Sequence, residues 1–106
     1  MATQAKLSDY GISVGTLPSG PLGKISDVPG VTVGHCTVDT QTQKTGVTVV
    51  MPCADDMFAQ KLPAAACVLN GFGKTAGLVQ IGELGTLETP IALTNTLNVG
   101  LVYDAM

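Results

Sequence analysis

The stretch Val68 to Gly77, written VLNGFGKTAG, has the residue types of a phosphate-binding loop. Gly71, Gly73 and Ala76 satisfy the dinucleotide pattern G-x-G-x-x-[GA], whose glycines let backbone amides approach a pyrophosphate at a helix start. That pattern also needs an acidic residue after the next strand to bind a ribose hydroxyl, and this sequence has none there. Two interpretations stay open: a dinucleotide or phosphate site over 71–77, and a glycine-rich turn where two stretches of backbone pass closely.

The other common phosphate loop, G-x-x-x-x-G-K-[ST], is matched only at its end. Gly73, Lys74 and Thr75 supply that end, but Val68 stands where the first glycine belongs. Without that glycine the backbone cannot easily curl around the phosphates. The match is therefore too incomplete to predict a nucleoside triphosphate site.

Polar residues beside turns form a second group that could do chemistry. Asparagine and threonine at the ends of predicted strands can hydrogen bond to a ligand or stabilise the turn itself, and the sequence does not decide between these roles. The candidates for the lining of a substrate pocket are Asn70, Gly71, Gly73, Thr94, Asn95 and Thr96.

His35, the only histidine, adjoins Cys36, a pair that raises the possibility of a cysteine nucleophile with a histidine base. Adjacent strand residues point to opposite faces, so we expect the two side chains to be separated and His35 to be a hydrogen-bonded strand residue. One histidine and scattered cysteines do not supply a metal site, and we expect no metal or other cofactor. Glu83 and Glu88 could act as acid and base only if the fold brought them together.

The elements that position these residues are predicted from β-branched alternation, apolar periodicity and turn signals. Residues 1–24, with frequent Gly and Pro, are predicted to be an irregular arm, and residues 25–106 a portion of a single α+β domain. The predicted elements are a hairpin of strands Val31–Val38 and Gly46–Met51, a buried strand Ala64–Leu69, a helix Lys74–Leu84 ended by Gly85, a strand Pro90–Thr94, and a short helix capped by Asn98.

Composition excludes several classes of protein. The chain has 106 residues, a net charge of −3, five lysines that never cluster and 4% aromatic residues, so it lacks the basic, aromatic surface of a nucleic-acid binder. No apolar run approaches the roughly 18 residues of a membrane span. The start of the chain lacks a signal-peptide pattern, and its three cysteines have no disulfide-framework spacing. We therefore expect a cytoplasmic protein that contacts neither nucleic acid nor membrane.

The charged fraction of 12% is about half the usual value, which leaves few groups to solvate a closed surface. The last predicted helix also stops after about two turns, a length that is marginal in isolation. Both observations predict that part of the surface packs against another chain or against the rest of a longer protein.

Three stretches together resemble the N-terminal part of the DmpA/BapA family of aminopeptidases. They are ISDVPGVTVGH (25–35), TGVTVV (45–50) and the segment from VLNGFGKTAGL to ELGTLETPIALTNTLNVG (68–100). The lead-in GTLPSGPLGKISDVPGV is also similar, so the resemblance covers the chain from about Gly15 onward in the same order. It implies that the glycine loop is a turn of the family fold and not a nucleotide site.

The resemblance implies an αββα sandwich of the DmpA/ArgJ-like type, only part of which this chain would form. It implies a precursor that cleaves itself into two chains, so that a new N-terminal Ser or Thr becomes the nucleophile. Such enzymes release N-terminal residues from peptides, amides or esters, form homo-oligomers and use no metal. None of Ser8, Ser13, Ser19 and Ser26 stands in a matching motif, so no catalytic residue is assigned here.

The sequence therefore predicts the first part of a self-cleaving aminopeptidase that is inactive alone. Its partners would be the remainder of the precursor and a small peptide or amide substrate. Two alternatives stay open: a dinucleotide- or phosphate-binding module built on residues 71–77, and a truncated, non-catalytic relic.

Overall fold

Two long β-branched segments form the centre of the computed structural model, which describes residues 5–106. Strand β1 (Thr32–Asp39) and strand β2 (Lys44–Met51) pair antiparallel along their whole lengths. In the turn between them, the Thr40 hydroxyl accepts a hydrogen bond from the Gln43 backbone N–H at 2.9 Å. The predicted hairpin is confirmed, with β2 starting two residues earlier than expected.

A second, much smaller sheet follows. Strand β3 (Leu62–Pro63) runs antiparallel to a later pair of residues, Thr86–Leu87, and the Ala64 N–H extends the pairing by donating to the Gly85 carbonyl at 2.9 Å. Beyond this contact the chain leaves the sheet. The predicted strand Ala64–Leu69 is therefore wrong, because within residues 5–106 no strand hydrogen bonds to that segment.

Helix α1 (Leu78–Leu84) lies between β3 and strand β4 (Thr86–Leu87) in the sequence. Left-handed glycines bound the helix, with φ of 84° at Gly77 and 65° at Gly85. Gly85 ends the helix as predicted. The predicted start at Lys74 is wrong, because the left-handed conformation of Gly77 prevents the helix from extending in that direction.

Strand β5 (Ile91–Leu93) completes the main sheet by pairing antiparallel with β2, which gives the order β1-β2-β5. This confirms the strand predicted over Pro90–Thr94. A 3₁₀ turn (Thr96–Asn98) then leads into helix α2 (Val99–Ala105), and Asn98 precedes the helix as expected but makes no capping hydrogen bond with its side chain.

The segment before the hairpin, from residue 5 to residue 31, contains no strand or α-helix. It has 3₁₀ turns at Leu7–Tyr10 and Ile25–Asp27, and all its residues from 5 to 26 are exposed. The Asp27 carboxylate ties down its second half by accepting the backbone N–H groups of Leu22 and Lys24. A boundary between arm and domain at residue 24 stays a prediction.

The structure exposes far more surface than a closed domain of its mass. The accessible area is 8985 Å², whereas a folded monomer of 10.8 kDa exposes about 5,500 Å². The radius of gyration is 16.2 Å against about 13 Å expected. Within residues 5–106, only Val50 and Met57 are buried apolar side chains. The mixed helix-and-sheet architecture agrees with the prediction, while the αββα sandwich stays a prediction.

None of the helices within residues 5–106 is long and apolar enough to cross a membrane.

Candidate functional site

The end of β5 carries three of the predicted pocket residues, and long-range hydrogen bonds hold two of them. The Asn95 side-chain amide donates to the Thr45 hydroxyl at 2.8 Å, and the Thr94 hydroxyl donates to the Gly46 carbonyl at 3.4 Å. These contacts join residues 50 and 48 positions apart and attach the segment to the beginning of β2. We call residues 94–96 the strand-end segment.

Asn95 also organises the chain that follows it. Its side-chain oxygen accepts the backbone N–H groups of Leu97 and Asn98 at 3.1 and 3.2 Å, which makes it the cap of the 3₁₀ turn. Both ends of the amide are therefore used, one for the local turn and one for the tertiary contact. Thr96, the first residue of that turn, is exposed and its hydroxyl is available to a ligand.

The receiving position on β2 requires glycine. A Cβ built at Gly46 would lie 2.5 Å from the Cys36 carbonyl oxygen on β1 and 3.3 Å from the Thr37 Cα. The missing side chain therefore lets the two strands approach closely at the point where Thr94 contacts the Gly46 carbonyl. The sequence shows a glycine in a strand pattern here, which is the usual signal for a close backbone approach.

The other half of the predicted site, the glycine loop at residues 70–73, lies in a different environment. Its one side-chain hydrogen bond with residues the structure describes is local, from the Phe72 N–H to the Asn70 side-chain oxygen at 3.2 Å. Phe72 is 91% exposed. The structure connects the strand-end segment to β2, but no hydrogen bond within the described part of the chain connects it to the glycine loop.

A cleft of about 740 Å³ opens beside the strand-end segment. Its walls are α1, β4, β5 and α2. Of the predicted pocket residues only Thr94 lines it, whereas Asn70, Gly71, Gly73, Asn95 and Thr96 do not. Each helix presents a half-buried apolar pair to it at helical spacing, Leu78 with Ile81 and Val99 with Val102. The volume falls within the range of small-ligand sites, and the lining is mainly apolar.

One charged cluster at this cleft was not predicted from the sequence. The Glu88 carboxylate forms an ion pair with Lys61 and accepts a hydrogen bond from the Gln80 amide. Hydrogen bonding from Lys61 and then from Gln80 lowers the pKa of Glu88 from 4.5, because both partners stabilise the charged form. Lys61 also lies 4.2 Å from the centre of the Phe58 ring, a cation–π contact.

These partners lie 27 and 8 residues from Glu88, so no local spacing rule would have found the cluster. It joins the loop before β3, helix α1 and the turn before β5. Among the described residues, the hydrogen-bond partners of the Glu88 carboxylate are Lys61 and Gln80 and not Glu83, so no Glu83–Glu88 hydrogen bond supports the acid–base pair considered from the sequence.

The only histidine forms a hydrogen bond across the hairpin. His35 and Thr48 face each other across β1 and β2 and share a hydrogen bond of 2.8 Å between Nδ1 and the hydroxyl oxygen. Cys36 points to the opposite face and lines a cavity of about 160 Å³ beneath α2. The expected separation of the two side chains is confirmed. Among the described residues, no group of three or more His, Cys, Asp or Glu side chains lies close enough together to hold a metal ion.

A family model gives the first comparison with known proteins. Residues 23–106 match the model of Peptidase family S58.

Two curated relatives are similar over 92% of this chain. The Beta-peptidyl aminopeptidase BapA of Sphingosinicella xenopeptidilytica is 37% identical over 107 residues, and that of Sphingosinicella microcystinivorans is 32% identical over 109 residues. The chain spans about a quarter of the length of these relatives, 26% in both cases.

Two solved structures share the fold. A Burkholderia sp. beta-aminopeptidase superposes with a TM-score of 0.85 at 45% identity, and the match covers 95% of this chain and 30% of that one. The PH0078 protein from Pyrococcus horikoshii OT3 superposes with a TM-score of 0.84 at 41% identity, over 94% of this chain and 31% of that one.

Proposed function

Because this chain belongs to peptidase family S58, of the DmpA/BapA type, we propose that it forms part of an aminopeptidase that releases N-terminal residues from peptides, amides or esters. The observation that carries the proposal is the family match over residues 23–106, together with relatives that are beta-peptidyl aminopeptidases. Substrates that begin with a β-amino acid are the first class to test, because both relatives are named for them.

The proposed nucleophile lies outside these 106 residues, on a chain released when the precursor cleaves itself. Four serines of this chain, Ser8, Ser13, Ser19 and Ser26, are exposed in the segment before the hairpin, far along the sequence from the strand-end segment. The single histidine, which could act as a base, is already bonded to Thr48. Both facts support a nucleophile supplied by other polypeptide, and they support the proposal that this chain alone is inactive.

The proposed chemistry follows from an N-terminal hydroxyl. The hydroxyl oxygen of the new N-terminal Ser or Thr attacks the substrate carbonyl, and its own α-amino group takes the proton. That amine suits the task, since an α-amino group titrates near pH 8. The leaving amine departs with a proton, and water then releases the acyl group from the enzyme.

This chain would supply a wall of the substrate pocket and the strands behind it. The strand-end segment offers an exposed hydroxyl at Thr96 and backbone groups held in place by Asn95, directly after a strand that is hydrogen bonded to the centre of the sheet. Hydrogen bonds to β2 hold this segment in position, which supports its use as a pocket wall. Asn70, Gly71 and Gly73 stay candidates for the pocket. They would contribute to it if the substrate or further polypeptide bridged the glycine loop and the strand-end segment.

The dinucleotide alternative gains no support from this geometry. A pyrophosphate site needs the glycine loop to run directly into a helix, whereas α1 starts at Leu78 after a left-handed Gly77. The segment before the loop is also not a strand. The relic alternative predicts no second chain and no turnover.

We further propose a cytoplasmic homo-oligomer without nucleic-acid or membrane partners. The three cysteines, all within the described residues, are free thiols, which suits a reducing compartment. Gel filtration with light scattering on the product of the native gene would measure the oligomeric state.

The decisive experiment uses the protein as its native gene produces it. A denaturing intact-mass spectrum should show two chains, the second beginning with Ser or Thr, and the preparation should hydrolyse a β-aminoacyl p-nitroanilide. Substitution of that new N-terminal residue by Ala should leave one uncleaved, inactive chain. A 10.8 kDa species alone without turnover would favour a relic. Saturable binding of a nicotinamide dinucleotide that Gly73→Val abolishes would favour the binding module.

A further inference from the structure

The Glu88 cluster, made of Lys61, Gln80 and Glu88, joins three segments of the chain at the wall of the large cleft. Both Gln80 and Glu88 line that cleft. The two oxygens of the carboxylate have different partners: Oε1 accepts a hydrogen bond from the Gln80 amide on α1, and Oε2 accepts one from the Lys61 ammonium in the loop before β3. The carboxylate therefore bridges the helix and the loop from its place in the turn before β5.

The ion pair in this cluster is more restrained than an isolated surface pair. Surface pairs are usually weak, because water competes for both charges and two long side chains must give up their freedom. The Glu88 side chain is only 18% exposed. The Lys61 ammonium also donates to the Phe58 carbonyl at 3.2 Å and lies 4.2 Å from the centre of the Phe58 ring. These contacts restrict Lys61, so the bridge keeps a defined geometry.

Helix α1 depends on this bridge for its orientation. The helix has seven residues, a length that is unstable without tertiary contacts, and the left-handed glycines at positions 77 and 85 interrupt it at both ends. Its half-buried apolar residues, Leu78 and Ile81, pack without directional preference. Within residues 5–106, the bond from Gln80 to Glu88 is the only side-chain hydrogen bond of α1. A hydrogen bond is directional, so this one sets how the helix lies against β5.

The orientation of α1 determines where the glycine loop lies. Only the exposed residues 74–77 separate that loop from the helix, and its one side-chain hydrogen bond with described residues is local. The strand-end segment takes its position from β5 and β2 instead. Glu88 lies three residues before β5, so its carboxylate attaches the part of the chain that carries the glycine loop to the part that carries the strand-end segment.

We propose that Glu88 is a positioning residue for the aminopeptidase reaction. Through Gln80 and Lys61 it fixes α1, and with α1 the glycine loop, at the distance from the strand-end segment that the bound substrate requires. Glu88 itself does not contact the substrate. The inference rests on the proposed function, because both regions are candidates for the wall of its substrate pocket.

Steady-state kinetics on the product of the native gene tests this role with a β-aminoacyl p-nitroanilide as substrate. Glu88→Ala should raise KM at least about tenfold, because a displaced wall binds the substrate poorly. It should leave kcat within about twofold, since the proposed nucleophile lies elsewhere. A purely structural residue would behave differently, because a loss of folded enzyme lowers the apparent kcat and leaves KM unchanged.

The matched control for this kinetic test is Asp39→Ala. It removes the ion pair with Lys44 at the end of the hairpin, where both side chains are exposed and neither lines the cleft. This variant should change neither KM nor kcat. An unchanged KM in Glu88→Ala, or a KM that rises equally in the control, would overturn the positioning role.

Two variants of Lys61 test the bridge from its other side, including the case in which Glu88→Ala does not fold. Lys61→Met keeps an unbranched side chain but removes the ammonium, and should raise KM at least about fivefold. Lys61→Arg keeps a cation that can bond Glu88 and lie over the Phe58 ring, and should hold KM within about twofold of the native value. Equal KM values for the two variants would contradict the proposal.

Hydrogen–deuterium exchange measures the bridge without any substrate. In the gene product, peptides covering residues 78–85 should exchange at least about fivefold faster in Glu88→Ala than in the native protein, because α1 loses its tether. Asp39→Ala should exchange at the native rate. Faster exchange with an unchanged KM would refute the positioning role, because α1 would then be anchored without shaping the pocket.

The positioning role and the proposed function fail in different ways. Faster exchange of α1 in Glu88→Ala, in a product whose native form releases no N-terminal residue, would refute the aminopeptidase and leave the bridge to α1 intact. Turnover by the native product, with KM and exchange both unaffected by Glu88→Ala, would keep the aminopeptidase and refute the positioning role.

Discussion

The strand-end segment and the glycine loop share an asparagine in the same local setting but differ in structural support. Both place asparagine beside a turn after an apolar run, and in both the asparagine oxygen accepts a backbone N–H two residues later. Asn95 additionally bonds Thr45, 50 residues away, whereas Asn70 has no long-range side-chain hydrogen bond within the described part of the chain.

The difference comes from the neighbouring strand. Residues 91–93 pair with the centre of β2, so the residues that follow arrive beside the start of β2 whatever their own side chains prefer. Residues 64–69 leave the small sheet after one hydrogen bond, so no paired strand leads into the glycine loop, and its residues are exposed to solvent. A polar residue at a strand end becomes a positioned group only when its strand is held on at least one side.

The largest predicted effect is at the contact of the strand-end segment with β2. Gly46→Ala forces a Cβ against the Cys36 carbonyl and should lower the free energy of unfolding by about 1–3 kcal/mol. Urea denaturation followed by circular dichroism measures it. Gly34→Ala is the matched control, a strand glycine with open space at its Cβ, and should change stability by less than about 0.5 kcal/mol. Equal losses would show that the close approach at Gly46 does not matter.

Asn95→Ala should have the next largest effect. It removes the cap of the 3₁₀ turn and the bond to Thr45, and we expect a loss of about 1–2 kcal/mol in the free energy of unfolding. The control Asn98→Ala changes the same residue type three positions on, where the side chain makes no capping hydrogen bond. Thr45→Val should account for part of the loss and be non-additive with Asn95→Ala. Strict additivity would mean that the two side chains do not interact.

The Glu88 cluster tests whether a charged contact can tether the region around α1. Because the pKa of Glu88 is lowered in the folded chain, its stabilising effect is complete above the unfolded pKa of 4.5 and is lost as the pH falls through the folded value. The stability difference between the native chain and Glu88→Gln should therefore shrink on acidification below about pH 4.5. Glu83→Gln, at an exposed carboxylate with no ion pair among the described residues, is the control. A pH-independent difference would contradict the ion pair with Lys61.

Asn70→Ala should have the smallest effect, within about 0.5 kcal/mol of the native chain, because it removes one exposed local hydrogen bond. A loss as large as that of Asn95→Ala would mean that the glycine loop is held as firmly as the strand-end segment. In the assembled gene product, a fall in kcat/KM on Asn70→Ala with unchanged stability would assign the loop to the substrate pocket.

The sequence by itself determined the elements whose signals are local. Alternating β-branched residues on both sides of a polar connection fixed the hairpin, and Gly85 fixed the end of α1, because glycine adopts the left-handed conformation at low cost. The separation of His35 from Cys36 follows from the two-residue period of a strand. The family was also predicted from the string of motifs in the sequence, and the match over residues 23–106 confirms that prediction.

Only the tertiary structure decided which of these elements meet. The apolar run Ala64–Leu69 looks like a strand, yet it is not one, because strand formation depends on a partner that the run itself does not encode. The pairing of β5 with β2, the bond from Asn95 to Thr45 and the cluster of Glu88 with Lys61 join residues from 27 to 50 positions apart. Spacing rules describe neighbours along one helix or strand, so contacts at such separations depend on how the whole sheet assembles.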